Sequence, residues 1–388
     1  MVKINSLVRL AAASYGQTKC VVFVDSVQAA RLSLEPYLTT IEAAFPFINA
    51  FGASVGVHSL RDLEALPCVK AVAPHALVSV CSKTGEGDWA IKEPQITRPS
   101  LSYRTDRQSS DSQSHHQSSP PIAVAVIDTG LRPHMDFLVP QNRIVGFKDF
   151  INGKRLPYDD NGHGTAVSSI LCGNGLCGGA RYCGIAPKVH LYGLKAIGAN
   201  GEGGAFSILE AMQWVFDNAT RCNIRVVCMS FGAEPIVGGT DPLSVGSEAL
   251  WKKGIVVVAS AGNDGPKAGS IKSPGCSGAV ITVGGAKIEE NGNISVAEFS
   301  SRGPVLGHYK PDIIAPSVDI AAASLISHYD YFTGTSMAAP FVAGICANLL
   351  TENPQNSPDR IKEELLKRAT KLPLSQDEAG WGVILNDN

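Results

Sequence analysis

The sequence predicts an α/β fold, a parallel sheet sandwiched by helices, preceded by a small α+β domain. Three observations carry this. Downstream of Asp128, strand and helix signals alternate through 188–197, 205–218, 224–231, 244–253 and 254–260, the order that builds a parallel sheet covered on both faces. Upstream, residues 1–82 carry strand and helix signals of their own. Between the two, 83–120 reads as a flexible linker, and its second half, 108–120, contains no aliphatic, Phe, Tyr or Trp side chain. Such a segment buries too little surface to offset chain entropy. At 388 residues the chain exceeds the size at which one core stops growing, so a large domain over 121–388 and a smaller one are expected.

Taken in order, the stretch 1–16 has Lys3 and Arg9 but only Leu10-Ala11-Ala12-Ala13 as an apolar centre, a poor match to a signal peptide. Cys20-Val21-Val22-Phe23-Val24 is a β-branched strand. Residues 28–45 have helical spacing through Ala29, Leu32, Leu34, Leu38, Ile41 and Ala44, with Pro36 interrupting that helix or marking its start. Phe47 to Phe51 reads as the next strand, with 53–57 close behind. Ser59 caps a short helix over 59–66, and 69–74 and 76–80 supply the last strands.

In the large domain, Val124-Ala125-Val126-Ile127-Asp128-Thr129-Gly130 is an apolar run ending in a carboxylate at a turn. A buried strand would deliver Asp128 at its C-terminal edge. Asn161-Gly162-His163-Gly164-Thr165 then opens a helix-like stretch and sets an imidazole beside a turn. Small residues surround Ser336 in Gly334-Thr335-Ser336-Met337-Ala338-Ala339-Pro340, and the apolar run after them reads as a buried helix. Pro340 places Ser336 in or just before its first turn, where free N–H groups and the helix dipole favour an oxyanion. Alone, this is a capped core helix; a base and an acid elsewhere in the chain make Ser336 a candidate nucleophile. Ser357-Pro358-Asp359 caps a final amphipathic helix over 360–369.

Composition narrows the function classes. Of the chain, 44% is hydrophobic and 18% charged, with a net charge of -2 and a pI near 6.5. That leaves no basic field to attract nucleic acid or an anionic membrane, so neither is an expected partner. No apolar run approaches the ~20 residues that span a bilayer, and a monomer is expected. The compartment stays open between secretion after maturation and the cytoplasm. Ten cysteines are more than a reducing cytosol requires, yet too sparse for a disulfide scaffold. Cys172, Cys177 and Cys183 flank a Gly-rich loop and could form a local disulfide or, with His190, a metal site. Their spacing fits no common zinc pattern, which favours thiols, free or paired, over metal. His115-His116 in the linker reads as incidental. Gly173 to Gly178 matches G-x-G-x-x-G but follows a helix and precedes more loop, the wrong context for a nucleotide.

Asp, His and Ser in that chain order, on Asp128-Thr129-Gly130, His163-Gly164-Thr165 and Gly334-Thr335-Ser336-Met337-Ala338-Ala339-Pro340, resemble the subtilases, the subtilisin-like serine endopeptidases. Ser260-Ala261-Gly262-Asn263-Asp264-Gly265 is a fourth matching motif. The resemblance covers 121–388 and implies hydrolysis of protein or peptide substrates, with Ser336 as nucleophile, His163 as base, Asp128 as its orienting acid and Asn263 as oxyanion donor. It implies that no cofactor is needed for the chemistry. Met229 to Gly232, including Ser230, Phe231 and Gly232, and Ala259 to Gly262, including Ala261 and Gly262, match the segments that line the pocket for the residue before the scissile bond. Gly201 to Gly204, including Gly203, matches the edge that pairs with substrate backbone. Asp264 would sit at the rim of that pocket and Lys272 near its floor.

Residues 1–82, upstream of such a domain, look like the family's inhibitory propeptide. The chain would then be a zymogen with its own propeptide as intramolecular inhibitor, cutting itself between about Val80 and Pro121, with the maturation site placed in the 83–120 linker. Asp136 resembles a calcium-binding aspartate of the family, with 173–182 as the partner loop, so a structural calcium is a further expectation. Two departures stand out: Ala166 replaces a second histidine and Cys228 an asparagine common before Met-Ser. The alternatives are a catalytically silent binding protein of this fold and a serine esterase.

Overall fold

The computed structural model describes residues 3–82, 121–326 and 328–386, so the 83–120 linker and its histidine pair lie outside the described residues. The N-terminal unit is built on β1 (Lys3–Ile4), β2 (Gln17–Val24), β3 (Thr40–Phe45), β4 (Ala50–Gly56) and β5 (Val69–Pro74), in the sheet order β1-β5-β2-β4-β3. Its helices are α1 (Ser6–Tyr15), α2 (Val27–Leu34) and α3 (Ser59–Ala65). α1 occupies the stretch weighed above only as a leader; Asn5 caps it by accepting the Leu7 N–H at 2.9 Å, and Gly16 ends it.

The expected helix over 28–45 is corrected: it stops at Leu34, and 40–45 is a strand paired with β4. Pro36 breaks the helix, and beyond it the burial alternates with period two, Ile41, Ala43 and Phe45 turning inward, which only a strand satisfies. The next strand also starts later than read, at Ala50 rather than Phe47. α3 is preceded by His58 at the cap position, with no side-chain cap bond.

Alternation gives this sheet two apolar faces. Cys20, Val22 and Val24 of β2 join Val8, Ala12, Leu34, Leu60 and Leu63 of the unit's helices in one core. Val21 and Phe23 belong instead to the core of the large domain, along with Phe45, Ile48, Ala71 and Ala73. A last strand, β6 (Leu77–Val80), leaves the unit and enters the large domain.

The large domain begins β7 (Ala123–Asp128), α4 (Met135–Leu138), β8 (Ile144–Asp149), α5 (His163–Cys172), β9 (His190–Lys195), β10 (Glu202–Gly204) and α6 (Ala205–Cys222). It continues β11 (Ile224–Met229), β12 (Phe231–Gly232), α7 (Pro242–Lys252), β13 (Val256–Ser260), β14 (Ile281–Ile288), β15 (Ile294–Val296) and β16 (Ile313–Pro316). The hairpin β17 (Ile320–Ala323) and β18 (Tyr329–Phe332) leads into α8 (Thr335–Glu352), followed by α9 (Pro358–Arg368). The central sheet runs β15-β14-β13-β11-β7-β9-β8 with β16 added to β14, and its pairs are parallel except β14 with β15.

Every residue of β7 is buried, as a strand covered on both faces requires. α5 is buried along its whole length, and α8 nearly so. α6 and α7 form the outer platform on which the N-terminal sheet rests: Phe45 and Phe47 meet Phe206 and Phe216 with ring centroids 6.2 and 5.7 Å apart. A fully buried phenylalanine contributes about 1.5–3 kcal/mol, so this seam is a substantial part of what holds the unit in place. Among the described residues no helix is long and apolar enough to cross a membrane.

Candidate active site

The C-terminal end of β7 delivers Asp128, wholly buried, to the first residue of α5. His163 Nδ1 lies 2.7 Å from Asp128 Oδ1. A carboxylate only accepts, so Nδ1 carries a proton, and in the neutral ring the lone pair is on Nε2. Nε2 is buried and has no hydrogen-bond partner.

Two residues that the sequence reading missed hold this pair together. Asp159 accepts five hydrogen bonds: from Thr129 Oγ1, from the Asn161, Gly162 and Thr165 N–H groups, and from Thr165 Oγ1. It thereby satisfies the free donors at the start of α5 and ties them to the residue after Asp128. Lys195, fully buried at the end of β9, donates to Thr129 O and Asp160 Oδ1, both at 2.6 Å, and to Ile197 O at 2.9 Å. Each donor proton of that ammonium has a partner, which is what makes its burial tolerable.

Ser336 is the second residue of α8, and Pro340 lies inside the helix. Proline has no N–H, so the Ser336 carbonyl lacks its helical donor; Ser230 Oγ supplies one at 3.1 Å. In return Ser336 Oγ donates to Ser230 O at 2.8 Å. The Asp128–His163 link is therefore made, whereas the hydroxyl of Ser336 is bonded to Ser230 and not to His163. Asn263 is oriented without ambiguity. Its Oδ1 accepts the Thr335 N–H and Oγ1–H at 3.0 and 2.9 Å, which turns Nδ2 toward the cleft.

What occupies the cleft is the chain itself. β6 lies antiparallel between β10 and β12, with Val78 opposite Gly203, Val80 opposite Phe231 and Ser79 opposite Gly232. Val80 N–H donates to Gly201 O at 3.0 Å and Cys81 N–H to Ser230 O at 3.3 Å. The Cys81 carbonyl then accepts from Asn263 Nδ2 at 2.6 Å and from the Ser336 N–H at 3.3 Å. Gly334, with φ 152°, leaves room for the next peptide bond: a Cβ there would stand 2.4 Å from Cys81 O and 2.9 Å from Ser82 Cα.

The Cys81 side chain points at Gly232, where an added Cβ would meet its Sγ at 3.4 Å. The stem of Lys272 fills the rest of that pocket, within 2.9 Å of where Cβ atoms on Gly232 and Gly262 would sit. Ala261 O holds the Lys272 N–H at 2.9 Å. The ammonium is paired with both Glu234 and Asp264. Burial pulls its pKa down, but those two carboxylates outweigh it and hold it above the ordinary lysine value.

Asp136 is where a calcium ion was expected, and the residues there do not fit one. Its buried carboxylate accepts from the Cys177 N–H at 3.1 Å and the Tyr329 hydroxyl at 2.5 Å. Asn174 Oδ1 accepts the Leu176 N–H at 3.0 Å. The buried guanidinium of Arg143 binds the Asp136 and Cys172 main-chain carbonyls, which already sets one protein cation beside Asp136. Calcium takes six or more oxygens, and these already accept hydrogens. All ten cysteines are free thiols, so the loop disulfide weighed for Cys172, Cys177 and Cys183 is not formed.

Comparison with known proteins agrees with this architecture. The model of the subtilase family, peptidase S8, matches residues 120–382. Serine protease AprX of Bacillus subtilis (strain 168) is 41% identical over 289 residues, 68% of this chain and 64% of that protein, just under two thirds of its length. Alkaline elastase YaB of Bacillus sp. (strain YaB) is 29% identical over 90% of this chain and 83% of its own. Among solved structures, S41 psychrophilic protease superposes with a TM-score of 0.60 at 31% identity, covering 68% of this chain and 90% of that one. Sphericase superposes at 0.57 and 30% identity, covering 64% and 83%. With a parallel sheet, a buried Asp–His pair and a serine at the head of a central helix, the chain belongs to the subtilase family, the subtilisin-like serine endopeptidases.

Proposed function

We propose that this chain is a self-processing zymogen of a serine endopeptidase, and that the Cys81–Ser82 bond is the one it cuts first. The observation that carries the reading is the Cys81 carbonyl, held by Asn263 Nδ2 and the Ser336 N–H at the end of a strand paired on both edges. Ser336 Oγ leaves Ser230 O, gives its proton to His163 Nε2 and attacks the Cys81 carbonyl carbon. Asp128 stabilises the imidazolium, and the tetrahedral oxyanion takes up the two hydrogen bonds already aimed at it. His163 then protonates the departing Ser82 nitrogen, leaving Cys81 as an acyl-enzyme ester that water hydrolyses. No cofactor enters any of these steps. Residues 1–81 would remain as an inhibitor, and other peptides would bind as β6 does, through main-chain pairing that reads few side chains. That pairing uses amide N–H groups on both sides of the strand, which favours peptides over simple esters. This reading moves the maturation site from the 83–120 linker to its N-terminal border.

Purified wild-type chain is expected to yield a large fragment beginning at Ser82, by N-terminal sequencing and mass, while the Ser336→Ala chain stays intact. A wild-type chain that stays whole and hydrolyses peptides freely removes the zymogen reading. One that cuts elsewhere first removes the assignment of Cys81.

The same geometry sets the preference for the residue before the cut. Lys272 leaves space for a small side chain such as that of cysteine. Lys272→Ala is expected to raise kcat/KM for substrates with Phe before the cut, relative to Ala, by about 10- to 200-fold, the usual worth of pocket methylenes. An unchanged Phe-to-Ala ratio would show that Lys272 does not limit the pocket.

A further inference from the structure

We propose that His134, Cys177 and His328 form a binding site for a zinc-class transition-metal ion. One ligand atom of each lies within 4.8 Å of those of the other two. The three come from separate segments: His134 precedes α4, Cys177 sits in the loop that leaves α5, and His328 stands immediately before β18. Bond lengths of about 2.0 Å to nitrogen and 2.3 Å to sulfur place tetrahedral ligands roughly 3.3–3.7 Å apart, so a closure of about an ångström completes the set.

The donor chemistry selects the ion. Two imidazoles and a thiolate suit zinc, whereas calcium and magnesium take oxygen. His134 is 6% exposed and its Nε2 has no hydrogen-bond partner, an orphaned polar atom of the kind a native core rarely tolerates. Its Nδ1 accepts the Asp136 N–H at 3.3 Å and lies 3.8 Å from Asp136 Oδ2. Metal on Nε2 moves the ring proton to Nδ1, so the bond from the Asp136 N–H is given up and Nδ1 donates to the Asp136 carboxylate instead, the arrangement that orients many metal-bound histidines. Cys177 is a thiol in the free protein, and the ion displaces its proton. Half-buried Cys177 and exposed His328 leave the fourth position to water. Asp136 lies between this cluster and Arg143, and its negative charge offsets the nearby guanidinium.

A metal here would pin the loop after the His163 helix to the hairpin that leads into Ser336. The test is titration of the full-length Ser336→Ala chain with Co²⁺, then Zn²⁺ and Ca²⁺. Expected are a single bound Co²⁺ with thiolate-to-cobalt charge-transfer absorption and tetrahedral visible bands, displacement by Zn²⁺, and no displacement by Ca²⁺. Cys177→Ser should abolish the charge-transfer band, and His328→Gln should weaken binding by roughly 10- to 100-fold or more. His190→Gln should change nothing. Both ligand variants lie near the surface, and their metal-free melting temperatures report that they fold. Zinc should raise the melting temperature of the parent chain and not that of Cys177→Ser. Absence of the charge-transfer band, or its persistence in Cys177→Ser, overturns the site, as does unchanged affinity in His328→Gln.

Discussion

Replacing Asn263 with alanine lowers kcat for peptide hydrolysis by roughly 10²- to 10³-fold and leaves KM near the wild-type value, a scale borrowed from the loss of such an asparagine in a subtilisin. Nδ2 is 2.6 Å from the carbonyl oxygen it would serve, and charge develops on that oxygen only after attack. An interaction that strengthens in the transition state alone appears in kcat. The orientation of the amide depends on Thr335, whose N–H and hydroxyl both point at Oδ1. Thr335→Val removes one of these two donors and should give a smaller loss with the same kinetic signature. Steady-state assays of the mature enzymes with a peptide substrate measure both. A loss confined to KM would mean that Asn263 grips the ground state, and the oxyanion role would fall.

Folding stability drops steeply as the pH rises through 9. Burial pushes the thiols of Cys81, Cys172 and Cys276 up to about 11 and those of Cys20 and Cys346 up to about 12, and raises that of Cys228 further still. In the unfolded chain each ionises near the ordinary value of 9.0. Above that pH the folded protein binds more protons than the unfolded one, so stability falls with pH, by about 1.4 kcal/mol per thiol per unit. Six such groups amount to several kcal/mol near pH 10, a large share of an ordinary domain's stability.

Lys310 works in the opposite sense. Burial, only partly offset by Asp312, pushes it down from 10.5 to about 8. Between those values the unfolded chain holds the extra proton and stability rises with pH. It is one group against six. Urea denaturation of the Ser336→Ala chain under reducing conditions, at about pH 7.5, 9 and 10, should show falling midpoints. A Cys228→Ala/Cys346→Ala variant should show a shallower fall. Midpoints that hold or rise across this range would mean that the buried thiols ionise without unfolding.

The backbone setting of each candidate site residue was legible in the sequence because each motif is local. Asp128 at a strand end, His163 after a glycine turn, Ser336 at a helix head and Asn263 in a Gly-rich turn all declare their backbone setting within a few residues. The supporting shell acts across long separations and was not legible. Asp159 was visible only as an acid four residues before a histidine, and Lys195 only as a lysine ending an apolar strand. Ser230 was read as pocket lining, while its hydroxyl also serves the carbonyl that Pro340 leaves bare. The helix expected over 28–45 failed because apolar residues at mixed spacing satisfy both periods, and pairing with Ala50–Gly56 decided between them. The surroundings of Asp136 were hidden for a comparable reason: an aspartate in the right place says nothing of Arg143, Tyr329 and the Cys177 amide, which meet there only in three dimensions.

The N-terminal sheet is greasy on its back as well as its front, and α6 and α7 shelter the back. Severed from the rest, it would have no comfortable existence in water: it must stay lodged, find another apolar cover, or unravel. If the chain is the zymogen proposed, an unravelled fragment beside an open peptidase would soon be digested, and a brake of that kind could be used only once.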